Sequence, residues 1–420
     1  MKAMTRGVEH ARPVLCIAIA LITACALGGA SGAARAGEWV AAWYSPPFPT
    51  TPVWEPNQVR IFDHQTTRQV VRLEAAGDRV RVHLTNVLGL LPVRVGDVRI
   101  ALSSPNGVLQ AGTGHLVTFG GRREATLAPG QALLSDPVDV KVRRFDELAI
   151  SVYYLDAVAP AGHLSPLIIS PSGDHAGEDV WPLASHALDA PGLASGVDVE
   201  AASPAPVLVA FGDSITEGYC ATTGTHRDYP EQLARLLAAR PGDEHWVVIN
   251  SGISGNRLLH DGDGTAGLAR FDRDALDIPG VRAIVLLEGI NDIGVAYLPG
   301  SDTGPIEAAP LIGAYENLIR RAHARGIRIY LGTLTPYVGA SYERPAGEKV
   351  REAVNAWIRK GSGFDGVIDF DEALRDPAHP LSIIGADQCG DDLHPNDAGY
   401  GVMAKAVLQR LFTNGARPRT

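Results

Sequence analysis

The sequence has few cysteines and no excess of positive charge. Only Cys220 and Cys389 of its four cysteines lie beyond the first 36 residues. The formal net charge is -10, and it becomes -13 without those 36 residues, which hold four basic residues and one acid. Such a surface repels phosphate backbones, so we expect no nucleic-acid partner. The chain also lacks long apolar runs after its N-terminal segment, which excludes a polytopic membrane protein.

The first 36 residues have the pattern of a secretory signal. Basic residues precede an apolar run over 14–27, and residues 34–36 are Ala-Arg-Ala, the A-x-A form of a signal-peptidase site. We therefore expect a signal peptide at 1–36 and a secreted or periplasmic protein that begins at Gly37. The segment Ile-Thr-Ala-Cys that ends at Cys25 resembles a lipobox, so a lipoprotein anchored at Cys25 is the alternative.

Residues 37–205 are predicted to form an all-β domain, a sandwich or jelly roll. Short segments with the period-two alternation of half-buried strands are separated by turn sequences, without helical patterns between them. The predicted strands are 67–73, 79–84, 93–102, 115–119, 124–127, 138–142 and 148–154. Residues 156–205 are rich in Pro, Ala, Ser and Gly, so we expect an irregular linker there.

From residue 206 the pattern changes to alternating strands and helices. The predicted strands are 207–211, 246–250, 283–287, 327–333 and 367–370. A helical face that begins at Leu311 ends before Gly326, which suits a C′ glycine. This alternation over 206–415 predicts a parallel five-stranded sheet covered by helices on both faces. Ligands bind at the carboxyl ends of the strands in such sheets.

Four polar clusters follow the predicted strands. They are GDSITEG with Ser214, NSGISGN with Gly255, EGIND with Asn291 and DDLHPN with His394. A Gly-Asp-Ser turn alone is more often a helix N-cap, but four clusters at one sheet edge indicate nucleophilic catalysis. A serine hydroxyl needs a base, and His394 supplies one. Asp391, three residues before His394, can orient and stabilise the imidazole.

Two other patterns do not predict a cofactor or a metal. Residues 262–267 match G-x-G-x-x-G, but they do not follow directly on a strand as a dinucleotide site requires. His260, Asp261 and Asp263 have the spacing of neither an EF-hand nor a zinc site. No G-x-S-x-G elbow occurs after residue 36, so the α/β-hydrolase fold is the poorer match.

The four clusters resemble the GDSL, or SGNH, hydrolases, whose blocks supply Ser, Gly, Asn and His in this chain order. The resemblance covers about 207–412 and implies a flavodoxin-like three-layer α/β/α domain with carboxylic ester hydrolase activity. The family's D-x-x-H spacing selects Asp391 over its neighbour Asp392 as the third member of the triad. By the same resemblance, the oxyanion hole consists of the backbone N–H groups of Ser214 and Gly255 and the side-chain amide of Asn291.

The stretches SGISGNRLLHDG and LEGINDIG resemble a secreted arylesterase/acylhydrolase branch associated with plant-polysaccharide breakdown. This implies short acyl esters as substrates, either acetylated glycan or small aryl esters, with no cofactor. Acyl transfer to sugar hydroxyls is one alternative, because it uses the same triad. A glycan-binding module with incidental hydrolase activity is another. Tyr337, just past the fourth predicted strand of this half, is expected to line the substrate pocket.

Cys220 and Cys389 are a candidate disulfide, because two thiols in an oxidising compartment tend to pair. Cys220 follows Ser214 and Cys389 precedes His394 by a few residues, which predicts that both lie near the mouth of the same cleft. Two unrelated buried thiols are the alternative.

Overall fold

The computed structural model describes residues 37–49, 59–182, 184–203, 205–240, 245–361 and 363–413. The predicted signal peptide at 1–36, with the alternative lipid site at Cys25, lies outside these ranges. Among the helices found within them, none is both long enough and apolar enough to cross a membrane.

The N-terminal half consists of antiparallel β-sheets. Its strands are β1 (Glu38–Tyr44), β2 (Gln65–Arg72), β3 (Gly77–Asn86), β4 (Val93–Ser103), β5 (His115–Val117), β6 (Ala125–Leu127), β7 (Gln131–Leu134), β8 (Val138–Val142), β9 (Glu147–Tyr154), β10 (His163–Ser172), β11 (His186–Gly192) and β12 (Ala194–Ala201). One sheet has the order β1-β12-β3-β7, with β8 also paired to β3. The other has the order β11-β10-β2-β9-β4-β5, with β6 also paired to β4.

The two sheets share an apolar core, as the alternating sequence predicts. Along β3, Val80, Val82 and Leu84 are buried while the residues between them are partly exposed. Ile100 of β4 and Ile150 of β9 belong to the same buried cluster from the second sheet. The predicted all-β half is therefore confirmed.

The irregular linker predicted over 156–205 is wrong, because β10, β11 and β12 lie there. β12 lies between β1 and β3, and β10 lies between β11 and β2. The prolines in this segment obscured the strands. Pro166 of β10 pairs with Asp189 of β11. It precedes Leu167, the first residue of β10 that pairs with β2, so it lies outside that second pairing. A proline is tolerated where the sheet does not need its amide hydrogen, and on edge strands such as β11.

The C-terminal half alternates strands and helices. Its strands are β13 (Val207–Gly212), β14 (Val247–Gly252), β15 (Val281–Leu287), β16 (Arg328–Gly332) and β17 (Gly366–Ile368). Its α-helices are α1 (Ser214–Glu217), α2 (Tyr229–Ala238), α3 (Gly267–Phe271), α4 (Ile290–Ala296), α5 (Ala308–Ala324), α6 (Pro345–Lys360), α7 (Phe370–Leu374) and α8 (Asp397–Leu408). Short π-helical turns at 272–276 and 409–413 and a 3₁₀ turn at 385–387 complete this half.

The strands of this half form one parallel sheet in the order β14-β13-β15-β16-β17. This is the flavodoxin-like order, so the predicted fold class is confirmed. All six residues of β13 are buried, as expected for a strand covered on both faces. Gly212 at the end of β13 is in register with Gly252 of β14 and Leu287 of β15. The polar segments that follow these three strands therefore begin side by side.

Polar contacts join the β-sandwich to the α/β half. Arg144, which follows β8, donates from Nη2 to the backbone oxygens of Ala234 (3.2 Å) and Trp246 (2.9 Å). Glu147 of β9 lies 2.9 Å from Nε2 of His226 in the loop before α2. These contacts place the β-sandwich against α2 and β14, next to the elements that carry the site.

Candidate active site

Ser214 is the first residue of α1 and is separated from the end of β13, Gly212, by Asp213 alone. Asp213 caps this short helix, because its Oδ1 accepts a hydrogen bond from the backbone N–H of Ile215 at 3.0 Å. Gly212 fits the turn because a Cβ there would lie 2.2 Å from the carbonyl oxygen of Leu287. The turn therefore presents the Ser214 hydroxyl at the carboxyl edge of the sheet.

The structure brings Ser214, His394 and Asp391 together in one hydrogen-bonded series. His394 Nε2 lies 2.8 Å from Ser214 Oγ, and His394 Nδ1 lies 2.6 Å from Asp391 Oδ2. Asp391 Oδ1 accepts the backbone N–H groups of Leu393 (3.0 Å) and His394 (2.9 Å). The rival carboxylate, Asp392, instead accepts a hydrogen bond from Gln388 at 3.0 Å. The geometry thus favours the carboxylate that the D-x-x-H spacing selected.

The protonation of this series follows from its surroundings. Burial lowers the pKa of His394, and the neighbouring Asp391 offsets this only in part. Burial raises the pKa of Asp391, but hydrogen bonds from His394 and the backbone outweigh it, so that the pKa is lowered overall. At neutral pH, Asp391 is a carboxylate and His394 is neutral. Since a carboxylate only accepts, the His394 proton lies on Nδ1, and Nε2 is left to accept the proton of Ser214.

Gly255 and Asn291 lie at the same cleft as Ser214. Gly255 has a φ of +74°, and a Cβ there would lie 2.4 Å from Asp263 Oδ2, so both conformation and space require glycine. The Asn291 amide donates from Nδ2 to the Asn256 carbonyl (3.0 Å), and its Oδ1 accepts from the Tyr342 hydroxyl (3.2 Å). These two contacts fix the orientation of the amide and leave its second N–H for a ligand.

Arg270 is a buried residue that contacts the segments carrying the site residues. It was not identified from the sequence. Its side chain is fully buried, with the guanidinium carbon 3.9 Å from the centre of the Phe211 ring. It donates to Asn256 Oδ1 (2.8 Å), Ser251 O (3.0 Å), Gly212 O (2.8 Å), Glu288 Oε2 (3.2 Å) and Asp274 Oδ2 (3.5 Å). All five N–H groups of the guanidinium are therefore used, and they reach the ends of β13, β14 and β15.

The cleft above Ser214 has a volume of about 630 Å³. Tyr337, predicted to line it, is fully buried and does not reach it, so that prediction is wrong. Its ring packs edge-to-face on Tyr342 at 6.0 Å, and Tyr342 is the tyrosine that faces the cleft. Both tyrosines follow β16, and nothing in their sequence spacing shows which of them faces the cleft. Tyr219 also lines the cleft, with its ring 4.6 Å from that of His394.

Cys220 and Cys389 form a disulfide, with their Cα atoms 6.2 Å apart. The bond joins the segment after α1 to the loop that carries Asp391 and His394. Among the described residues, the two cysteines and Asp391 are the one group close enough together to hold a metal ion. The disulfide occupies both sulfur atoms of that group.

Comparisons with known proteins concern the C-terminal half. Residues 210–402 match the model of the GDSL-like Lipase/Acylhydrolase family. No match was found among curated proteins. Similar solved structures include a GDSL-like lipase from Bacteroides thetaiotaomicron, with 20% identity over 49% of this chain and 86% of that chain and a TM-score of 0.37. A catalytic mutant of an acetylxylan esterase from Geobacillus stearothermophilus has 22% identity over 49% of this chain and 93% of that chain, with a TM-score of 0.39.

The lowered pKa of His394 predicts the acid limb of the activity profile. Ester hydrolysis needs neutral His394, so kcat/KM is expected to fall as the pH decreases, with a midpoint below the ordinary value of 6.5. Stopped-flow or plate assays with p-nitrophenyl acetate between about pH 4 and pH 8 measure this midpoint. A midpoint above that ordinary value would contradict the assignment.

The carboxylate partner is tested by two neighbouring substitutions. Asp391→Asn removes the charge that orients and stabilises the imidazolium, and we expect kcat to fall by about 10²- to 10⁴-fold. Asp392→Asn is the matched control, with an expected loss below about tenfold because Asp392 bonds Gln388 rather than His394. The reverse order of the two effects would assign the role to Asp392.

The disulfide is expected to affect both stability and turnover. The bond closes a loop with a sequence separation of 169 residues. For a loop of this length, chain entropy limits the contribution of the bond to the free energy of unfolding to roughly 5 kcal/mol. Replacing both cysteines by serine should lower the urea midpoint and also kcat, because the His394 loop loses its covalent link to the segment after α1.

The bond itself is tested by thiol titration of the denatured, unreduced protein without residues 1–36, which should find no free thiol. Two free thiols per chain would refute the bond.

Proposed function

We propose that this protein is a carboxylic ester hydrolase, more specifically a secreted serine esterase of short-chain acyl esters, and the match of residues 210–402 to the GDSL-like Lipase/Acylhydrolase family supports this proposal. One observation carries this proposal: the hydrogen-bonded series Asp391–His394–Ser214 opens into the cleft. A serine becomes an effective nucleophile when a base is within hydrogen-bond reach and a third group orients that base.

In the proposed acylation step, Ser214 Oγ attacks the ester carbonyl carbon while His394 Nε2 takes its proton. Asp391 stabilises the imidazolium that forms. The negative charge that develops on the carbonyl oxygen is held by the N–H groups of Ser214 and Gly255 and by the Asn291 amide. These donors are fixed before the substrate arrives, which is the condition under which an oxyanion hole lowers the barrier most.

The tetrahedral intermediate then collapses. The bond between the carbonyl carbon and the alcohol oxygen breaks, and His394 gives its proton to the leaving alcohol. A water molecule attacks the acyl-Ser214 ester while His394 takes the proton of that water. Collapse of the second intermediate releases the carboxylic acid, and the proton returns to Ser214 Oγ. Each step uses groups of this chain and water.

The walls of the cleft support short acyl groups. Gly339, Ala340 and Ser341 line one part of it, and Val295 and Leu298 line another. The small residues leave room beside Ser214, and the two aliphatic side chains offer apolar contact to a methyl or a short chain. Together with the resemblance of SGISGNRLLHDG and LEGINDIG to a secreted branch, this favours acetylated plant polysaccharide or small aryl esters as substrates. The signal-like residues 1–36 support export.

The proposal predicts a specific loss of turnover. Ser214→Ala should lower kcat on p-nitrophenyl acetate by about 10⁶-fold, the scale of triad knock-outs, because no acyl-enzyme can form. Ser172→Ala, on an exposed position of β10, is the matched control and should leave kcat unchanged. Near wild-type turnover of the Ser214→Ala variant would refute the mechanism.

A further inference from the structure

Glu217 is a carboxylate close to the nucleophile that the hydrolysis mechanism does not use. It is the last residue of α1, the helix that Ser214 begins, and only 22% of its side chain is exposed. Its Oε2 accepts a hydrogen bond from the Ser254 hydroxyl. Its Oε1 lies 3.5 Å from His163 Nε2. Glu217, itself part of the helix of the nucleophile, therefore contacts both the loop after β14 and the β-sandwich.

Ser254 connects Glu217 to the oxyanion hole. It directly precedes Gly255 and lines the cleft. The strand that precedes this loop is also attached to α1, because Asn250 Nδ2 of β14 donates to the backbone oxygens of Thr216 (2.9 Å) and Glu217 (3.2 Å). Of the described hydrogen bonds between this segment and α1, the Ser254–Glu217 bond lies nearest to Gly255 in the sequence. It therefore constrains the distance between the Gly255 N–H and Ser214 Oγ.

His163 connects Glu217 to the β-sandwich. It is the first residue of β10, a strand paired on both sides, and its side chain is only 14% exposed. Its Nδ1 lies 3.2 Å from the carbonyl oxygen of Pro46, which anchors the ring on the sandwich side. The described residues that line the cleft all lie between Ser214 and His394. The sandwich thus supplies no described residue to the lining of the cleft, and the His163–Glu217 contact joins it to α1.

We propose that Glu217 and Ser254 are positioning residues that aim the Gly255 N–H at the oxyanion, and that His163 makes this alignment depend on the β-sandwich. Neither Glu217 nor His163 touches the reacting atoms, so both act through Ser254. The inference rests on the proposed function, since it assigns how one oxyanion donor is held. An error of about 1 Å in such a donor costs up to about 10²-fold in rate.

Kinetics of single and double variants test the proposal. Glu217→Ala and Ser254→Ala should each lower kcat on p-nitrophenyl acetate by about 10- to 100-fold, with KM changed less than about twofold. The double variant should be no slower than the slower single variant, because both remove the same contact. Glu217→Gln keeps an acceptor for Ser254 and should restore kcat to within about threefold of wild type.

His163→Ala tests the link to the β-sandwich. It should lower kcat by about 3- to 10-fold in the wild-type background and have no further effect in the Glu217→Ala background. Glu147→Gln is the matched control, since it changes another carboxylate–histidine contact between the sandwich and the α/β half (Glu147–His226, 2.9 Å) that does not line the cleft. We expect it to leave kcat unchanged.

Two results would overturn the proposal. One is wild-type kcat, per folded enzyme, in Ser254→Ala and Glu217→Ala. The other is independent, multiplicative effects of the two substitutions, which indicate separate structural roles. If Glu217→Ala does not fold, Ser254→Ala, His163→Ala and their double variant form the same cycle. Ser214→Ala is assayed in parallel, because activity that persists in that variant refutes the proposed function rather than the role of Glu217.

Discussion

The buried guanidinium of Arg270 is the interaction on which the arrangement of the site depends. It donates to backbone oxygens at the ends of β13 and β14, to Glu288 after β15 and to the side chain of Asn256. A buried charge is tolerated only when it is paired and its hydrogen bonds are satisfied, and Arg270 meets both conditions. The nucleophile turn, the Gly255 loop and the Asn291 helix are therefore held by one group.

The remaining parts of the site are attached to this frame from the outside. Asp292 accepts the backbone N–H groups of Leu258 (2.6 Å) and Leu259 (2.9 Å), which fixes the chain after Gly255. The disulfide holds the loop of Asp391 and His394, which comes from the far end of the sequence. Such rigidity suits a site that stabilises charge, because donors fixed in advance need no reorganisation during the reaction.

The sequence was most informative where one local pattern determines the structure. Buried apolar runs identified all five parallel strands, and short polar clusters identified Ser214, Asp391 and His394, which the structure brings together. It was least informative where long-range contacts decide. Arg270 contacts Gly212, 58 residues away, and Glu217 contacts His163 from the other half of the chain, so neither role has a local signature. The strands within 156–205 were missed because prolines usually indicate a linker. Here the prolines are compatible with strands, since they lie where the sheet does not need an amide hydrogen.

Covalent trapping tests the central claim, that Ser214 is the nucleophile activated by His394 and Asp391, most directly. The wild-type protein is treated with diethyl p-nitrophenyl phosphate, which phosphorylates an activated serine and releases nitrophenolate. The adduct is then located by mass spectrometry of proteolytic peptides. We predict a single diethylphosphoryl group on Ser214, formed in step with the loss of esterase activity and absent after His394→Ala substitution. An adduct on another residue such as Ser254, or full activity after Ser214 is modified, would contradict the claim.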